Sequence, residues 1–309
     1  MTFSQSKLAI IGFGSQAKAW ALNLRDSKIN VTIVLRKGSP SIDSAKNHGF
    51  QVCFSDEDLK QFSIFLMLFP DDQHLHFLQK FQTYLPPKAH LIYGHGFSLS
   101  KHQLRSQFPQ FIHSLIAPKA IASEVRFQYE IQGKIGAVLD IGDPSPSIEV
   151  ELRELAKLAG ITSLYLASYE EETKADLFSE QSLLCSILPY VSLKSYKLLR
   201  KKGISKEVAF MECFLELKSI SAAFVQLGPQ AFFKLISPNA LIGAEKGRDL
   251  LLGPEFDTQL EKIWQDIENQ KFYKEVEVDS NIIRERVLSE WSQEELTQVY
   301  LDLKNELIN

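Results

Sequence analysis

From Lys7 to about Ser168, short apolar runs alternate with amphipathic stretches, the pattern written by strands joined through crossover helices. The strand-like runs are Leu8–Ile11, Val31–Leu35, Gln51–Phe54, Ile64–Phe69, Leu91–Tyr93, Ile112–Ile116, Ile135–Ile141 and Leu164–Leu166. Several are apolar at nearly every position, which fits parallel strands covered on both faces. Gly142-Asp-Pro-Ser-Pro146 reads as a turn, with Ser147 as the N-cap of a helix that Gly160 ends. After Ser168 the strand-like runs stop, and segments with apolar residues at helical spacing and Lys/Glu faces continue to the C-terminus. The pattern predicts an α/β domain over residues 1–168, with a doubly wound, mostly parallel sheet, followed by an all-α domain over 169–309.

At 309 residues the chain has room for two domains of ~150 residues and a substantial core. Apolar residues at 45% and charged residues at 23% exclude a disordered chain. Lys plus Arg total 34 against 38 Asp plus Glu, so the net charge of -4 leaves no reservoir for gripping a polyanion, and nucleic acid is not an expected partner. No apolar stretch approaches the ~20 residues that cross a bilayer, so no membrane partner is expected. The segment from Met1 to Lys7 is short and polar, leaving no room for a signal peptide, and the expected location is cytoplasmic. Cys53, Cys185 and Cys213 are too few and too widely spaced for a disulfide framework or a thiolate zinc site; buried thiols are expected.

Leu8–Ile11 runs into Gly12-Phe-Gly-Ser-Gln-Ala17 and then an Ala/Leu-rich helix, which is the G-x-G-x-x-G/A dinucleotide fingerprint in its strand-turn-helix setting. Gly12 permits the tight turn, Gly14 lets a pyrophosphate approach the backbone, and Ala17 is small enough for close packing of helix on strand. With Ser15 and Gln16 they form the candidate cofactor loop of a Rossmann-type fold, the helix N-terminus supplying amide donors. After the second strand, where an NAD site places an acidic residue, stand Arg36, Lys37, Ser39 and Ser41. Two cations and two hydroxyls suit a 2'-phosphate and point to NADP(H); the other reading of Arg36 and Lys37 is solvated surface charge.

Chance alone supplies roughly 4 to 5 acidic i,i+4 pairs at this composition, most of them on wet helix faces. Glu212 and Glu216 differ, because Val208 to Leu217 contains no other strongly polar residue, and a helix apolar on every side is a buried one. Buried carboxylates one turn apart repel and require a compensating cation. Asp176 and Glu180 repeat the spacing earlier in the chain. If the two helices face each other, four oxygen donors without Cys or His make a hard-cation site suited to Mg²⁺. The alternative is pairing with lysines such as Lys174 and Lys218, or protonation. His74 and His76 cannot share a helix face at i,i+2 and read as solvated surface.

These stretches resemble the short form of the ketol-acid reductoisomerase family over most of the chain, roughly Lys7 to Lys274. The resemblance is carried by Ile11-Gly-Phe-Gly-Ser-Gln16, Ala21-Leu-Asn-Leu-Arg-Asp26, Leu35-Arg-Lys-Gly-Ser39, His95-Gly-Phe97, Ile116-Ala-Pro-Lys119, Glu171-Glu-Thr173, Asp176-Leu-Phe-Ser-Glu-Gln181, Glu212-Cys213 with Glu216, and Ile236-Ser237, in the family's order. It implies NADPH and Mg²⁺ as cofactors, a knotted helical domain, and a homodimer or higher homo-oligomer. It also implies alkyl migration and reduction of a 2-aceto-2-hydroxy acid of the 2-acetolactate class to a 2,3-dihydroxy acid, chemistry of branched-chain amino-acid biosynthesis. Asp176 would bridge two metal ions and Glu180 ligate one. Glu212 and Glu216 would complete the shell directly or through water, they and Ser237 would come from a second subunit, and the catalytic places fall on His95, Lys119, Glu216 and Ser237.

The chain also departs from the family pattern. Ala120-Ile-Ala122 stands where the family has Gly-Pro-Gly, Leu241 and Ile242 replace polar residues, and Glu255 reverses a charge. Residues assigned to metal and cofactor persist while those assigned to the substrate pocket drift. Two alternatives therefore stand beside the reductoisomerase reading: a 2-keto acid reductase without the alkyl shift, and a non-catalytic dinucleotide-binding protein.

Overall fold

Alternation along β1 (Leu8–Ile11) sends Leu8 and Ile10 to one face of the sheet and Ala9 and Ile11 to the other, and all four are buried, so both faces are covered. The computed structural model describes residues 7–55, 59–142, 145–275 and 280–308. Met1 to Ser6 of the expected polar N-terminal stretch, and Asp143 and Pro144 of the expected turn, lie outside them. The chain divides into two compact units, the first ending at Thr173 and the second beginning at Lys174.

In the first unit β1 is followed by α1 (Ser15–Asp26), β2 (Val31–Leu35), α2 (Ile42–Asn47), β3 (Gln51–Phe54), β4 (Ile64–Met67), α3 (His74–Phe81), β5 (His90–Tyr93), α4 (Phe97–His102), α5 (Leu104–Gln107), β6 (Ile112–Pro118), α6 (Ala122–Glu130), β7 (Gly136–Asp140), α7 (Pro146–Leu158) and β8 (Ser163–Leu166). The strands form one sheet in the order β3-β2-β1-β4-β5-β6-β7-β8. Every pairing is parallel except β6 with β7, which is antiparallel, so the sheet is mostly parallel and doubly wound, as the apolar runs predict. β4 is shorter than its apolar run because the chain leaves the sheet at Leu68 and Phe69 and turns at Pro70 into a single tight turn, Asp71–Gln73.

On one face α1, α6 and α7 bury Trp20, Leu24, Val125, Leu152 and Leu155 against the sheet. On the other, α3, α4 and α5 contribute Phe77, Leu78, Leu99 and Leu104. Asn23 is fully buried on α1 and is satisfied in full: its amide donates to Ala159 O (2.8 Å) and Val125 O (3.3 Å), and its oxygen accepts from Arg126 (2.9 Å).

Several local expectations need correction. Ser145, not Ser147, is the N-cap of α7, because Pro146 occupies the first helical position that proline favours; Ser147 instead meets Ser145 hydroxyl to hydroxyl at 2.8 Å. Cys185 is exposed and Cys53 and Cys213 are half-buried, so the thiols are not core residues. His74 is buried rather than solvated: it faces inward from the first position of α3, its Nε2 donates to Phe69 O (3.0 Å) and its Nδ1 accepts from Ser98 (2.6 Å). His76 is exposed as expected.

α8 (Tyr169–Ser179) runs across the division and ends in a wide turn, Glu180–Leu184. The second unit continues with α9 (Ile187–Lys201), α10 (Lys206–Phe210), a second wide turn Met211–Leu215, α11 (Glu216–Leu227), α12 (Pro229–Leu235), α13 (Pro238–Leu251), α14 (Pro254–Glu268), α15 (Lys271–Glu275), α16 (Ser280–Ser292) and α17 (Glu295–Leu307). Its core is small: Leu193 and Tyr196 of α9, Ala209 and Phe210 of α10, and Leu296 and Val299 of α17. Among the described residues no helix is long and apolar enough to cross a membrane.

Two buried histidines link this packing to pH. His113 on β6 donates from Nε2 to Phe108 O (3.0 Å) and accepts at Nδ1 from the Tyr93 hydroxyl (3.1 Å), so the ring is held neutral. Burial pushes its pKa down to about 4, and burial likewise pushes that of His74 down. Between about pH 6.5 and pH 4 the unfolded chain therefore binds more protons than the folded one, and stability falls as pH falls through this window. The His113 contribution is on the order of 3 kcal/mol, fully present above pH 6.5. Urea midpoints measured from pH 7 to pH 4.5 should decline steadily, and His113→Gln should flatten the decline.

Candidate functional site

Strand ends and helix starts meet at the carboxyl edge of the sheet, where parallel α/β folds bind ligands. Gly12 leaves β1 with φ +93°, and a Cβ there would lie 2.8 Å from Cβ of Phe69, so only glycine lets the loop pass this close to β4's exit. At Gly14, the N-cap of α1, a Cβ would meet nothing within 4 Å, which leaves open space over the helix N-terminus. Ala17 is fully buried against the sheet. Gln16 reaches across to the loop after β6, donating to Ala120 O at 3.1 Å, while its own Oε1 is buried without a hydrogen-bond partner. Beyond β2, Arg36 and Lys37 are exposed and Ser39 and Ser41 half-exposed, Ser41 N–H donating to the Ser39 hydroxyl (3.3 Å).

Two steps along the edge, the exits of β5 and β6 bring His95 and Lys119 to the start of α8. Glu172, in the first turn of that helix, is buried and both its oxygens are engaged: Lys119 Nζ donates to Oε1 (2.6 Å) and Gly96 N–H donates to Oε2 (3.0 Å). Phe97 N–H donates to His95 Nδ1 (3.2 Å), so the neutral ring carries its proton on Nε2, and Asp71 lies 4.0 Å from the same ring. A ring nitrogen of His95 and a carboxylate oxygen of Glu172 lie within 4.8 Å of each other, and Asp176 follows Glu172 one turn further along α8.

The start of α8 is fixed from below. Tyr169 N–H donates to Asp140 Oδ2 at the end of β7 (2.8 Å), Asp140 pairs with Arg105 at 2.7 Å, and the Arg105 guanidinium lies 4.5 Å over the Tyr169 ring. Burial and a hydrogen bond to Glu170 push the Tyr169 hydroxyl up to about 12. Ser168 caps the helix through Glu171 N–H at 3.1 Å.

Glu172 is the residue that sequence reasoning missed. The run Glu170-Glu171-Glu172 reads as too short to be a tail, and its signal was the Glu171-Glu-Thr173 stretch together with a glycine, Gly96, directly after His95. The expected cluster of Asp176, Glu180, Glu212 and Glu216 draws on a second subunit for Glu212 and Glu216, and the single chain holds Asp176 and Glu180 one turn apart along α8 and the turn that follows it. Glu180 is exposed, and so are Glu212 and Glu216, contrary to the buried helix expected for them. The reason is that Val208 to Leu217 is covered on one side only. Phe210, Cys213, Phe214 and Leu215 turn into the core, whereas Val208 and Met211 stay exposed on the side of the glutamates. Lys174 lies 3.9 Å from Glu268. Ser237 caps α13, accepting from Ala240 N–H at 3.2 Å.

A glycine-turn dinucleotide loop beside a carboxylate-rich helix start defines an oxidoreductase of the Rossmann type with an all-helical second unit. Residues 2–149 match the family model of the acetohydroxy acid isomeroreductase NADPH-binding domain, and residues 169–307 match that of the ketol-acid reductoisomerase C-terminal domain. The chain belongs to the ketol-acid reductoisomerase family, in its short form. A ketol-acid reductoisomerase (NADP(+)) of Helicobacter pylori strain HPAG1 is 31% identical over 290 residues, covering 92% of this chain and 87% of that protein. The Methanosphaera stadtmanae ketol-acid reductoisomerase (NADP(+)) is 30% identical with the same coverage. An NADH-preferring ketol-acid reductoisomerase structure from an uncultured archaeon superposes with a TM-score of 0.89 over 99% of this chain and 96% of that one, at 24% identity, and so shares the fold.

Gly96 tests the helix docking. A Cβ there would lie 2.4 Å from Thr173 Oγ1, 2.7 Å from Tyr169 O and 2.8 Å from Glu172 Oε2, and the backbone oxygen cannot yield. Gly96→Ala should cost about 1–3 kcal/mol by overpacking and displace Glu172, lowering both the melting temperature and any turnover.

Proposed function

We propose that the chain is an NADPH- and Mg²⁺-dependent ketol-acid reductoisomerase, converting a 2-aceto-2-hydroxy acid to a 2,3-dihydroxy acid. The observation that carries the reading is the grouping of His95, Glu172 and Lys119 at the carboxyl edge, with Asp176 one turn along α8 and the Gly12-x-Gly14 loop on the same edge.

The residues present fit both cofactors. The space over Gly14 and the free amides of α1 suit a pyrophosphate, and Arg36, Lys37, Ser39 and Ser41 offer charge and hydroxyls to a 2'-phosphate. The bare Oε1 of Gln16 is a buried acceptor in the same loop, available to a donor on the cofactor. NADPH when bound supplies the hydride. Carboxylates on α8 and the turn that follows it are a donor set for a hard divalent cation, with Asp176 and Glu180 one turn apart as its oxygen donors and Glu172 one turn before them. Mg²⁺ when bound supplies Lewis-acid polarisation of the ketone oxygens.

The chain's own groups position and move protons. Glu172 is held by Gly96 N–H and Lys119, so its geometry is set before substrate arrives. The Lys119 ammonium, half exposed at the end of β6, is placed to hold a carboxylate or alkoxide of the substrate. His95, with its proton on Nε2, can donate a hydrogen bond from that atom to a substrate oxygen or a bound water. Ile121, which stands in the family's Gly-Pro-Gly stretch just after Lys119, is 74% exposed and adds bulk there. That observation favours the second reading, a 2-keto acid reductase without alkyl migration.

A second copy of the chain completes the helical unit in this reading. Helices α11, α12 and α13 bury no residue of their own, and Phe224, Val225, Leu235, Ile242, Leu250 and Leu251 lie exposed on them. Large apolar side chains left exposed on three successive helices are the kind of surface that a protein interface covers. Pairing through it would cover the apolar side chains that flank Glu212 and Glu216, and bring Ser237 with them.

NADPH oxidation with 2-acetolactate at varied Mg²⁺ tests the reading, and Asp176→Asn should weaken Mg²⁺ dependence and turnover by about 10- to 100-fold. Activity confined to the already isomerised 3-hydroxy-2-keto acid would establish the reductase instead. In sedimentation the parent should run as a dimer or larger assembly, and Val225→Glu with Leu250→Glu should shift it toward monomer; a parent that is monomeric at every concentration would remove the second copy from the scheme.

A further inference from the structure

Three of the four candidate ligand carboxylates of the second unit, Glu180, Glu212 and Glu216, adjoin two wide helical turns. Glu180 opens the turn Glu180–Leu184, where Cys185 N–H reaches back five residues to Glu180 O at 3.0 Å. Glu212 lies inside the turn Met211–Leu215, where Glu216 N–H reaches back five residues to Met211 O. Such π-type turns are rare and cluster at functional sites. Their effect on direction is concrete. In an α-helix Glu216 would stand one turn above Glu212 on a single stripe. An extra residue in the intervening turn swings it back around the helix axis and changes the angle between the two carboxylates.

A wide turn has a backbone cost, because the return to four-residue spacing leaves a carbonyl short of a ladder N–H. In both turns a serine hydroxyl donates to a carbonyl: Ser186 to Gln181 O at 2.5 Å, and Ser192 to Cys213 O. Ser186 is local to its turn. Ser192 is buried on α9 and lies 21 residues from its acceptor, so this bond ties a neighbouring helix to the turn that carries Glu212. Ser192, Glu212 and Cys213 also line one groove with Leu188 and Val191.

We infer that Ser192 is a positioning residue: its hydroxyl holds the Met211–Leu215 turn in the five-residue spacing and so sets the direction in which Glu212 and Glu216 present their carboxylates to a divalent cation. This rests on the reading of those glutamates as cation ligands. The test is Mn²⁺ titration of the full chain, free Mn²⁺ being followed by electron paramagnetic resonance, with NADPH binding by fluorescence and thermal melting measured alongside. Ser192→Ala should weaken Mn²⁺ binding about ten-fold with NADPH binding unchanged, and Ser192→Thr, which restores the hydroxyl, should bind Mn²⁺ close to the parent level. Parent-like Mn²⁺ binding by Ser192→Ala, or a loss shared equally with NADPH binding and melting, would overturn the proposal. Glu212→Gln separates the two layers: parent-like Mn²⁺ binding there overturns the ligand reading itself, while weakened binding beside an unaffected Ser192→Ala overturns only the role of the serine.

Discussion

The docking of one helix start against the edge of a parallel sheet is the constraint on which the candidate site depends. Glu172 is a buried carboxylate, and a buried carboxylate persists only where donors meet its oxygens. Here a backbone N–H from Gly96 and the ammonium of Lys119 do so, and they come from the exits of two adjacent strands. Asp140 takes the first N–H of the same helix and Arg105 braces it, so α8 cannot slide along its axis without breaking several contacts together. Its acidic first turn faces the direction that a helix dipole favours.

Chemistry and backbone geometry are coupled at every point of this edge. Gly12 and Gly96 are glycines for different reasons. The first has a positive φ and no room beside Phe69, whereas the second has an ordinary φ and no room beside Tyr169 and Thr173. Both put backbone where a side chain would otherwise hold cofactor or helix away. In the second unit the coupling takes another form. Wide turns at Glu180 and around Glu212 redirect acidic side chains, and serines accept the task of satisfying the carbonyls those turns expose.

Much of the architecture was legible from pattern. The eight apolar runs became eight strands; the central ones are buried on both faces and leave a signature that few other elements share, while β3 and β8 at the sheet's edges are partly exposed. Their ends were less legible: β4 stops at Met67 although Leu68 and Phe69 are apolar, since those residues pack after the chain has left the sheet. The glycine fingerprint could be read because turn, helix and strand lie within ten residues of one another. His74 and Glu172 could not, as each is buried by segments distant in the chain, and a polar residue in a polar stretch carries no mark of what will cover it.

The sequence by itself determined the fold class, the dinucleotide loop and the family, because these follow from local periodicity and from contiguous motifs. Only the tertiary structure decided which acids meet. Glu172 joined His95 through the register of β5 beside β6, and Glu212 and Glu216 came out exposed in the single chain because one face of their helix, not all of it, found a core. The physical reason is that burial is a property of the neighbours a side chain acquires, and those neighbours are chosen by long-range packing that no short window of sequence contains.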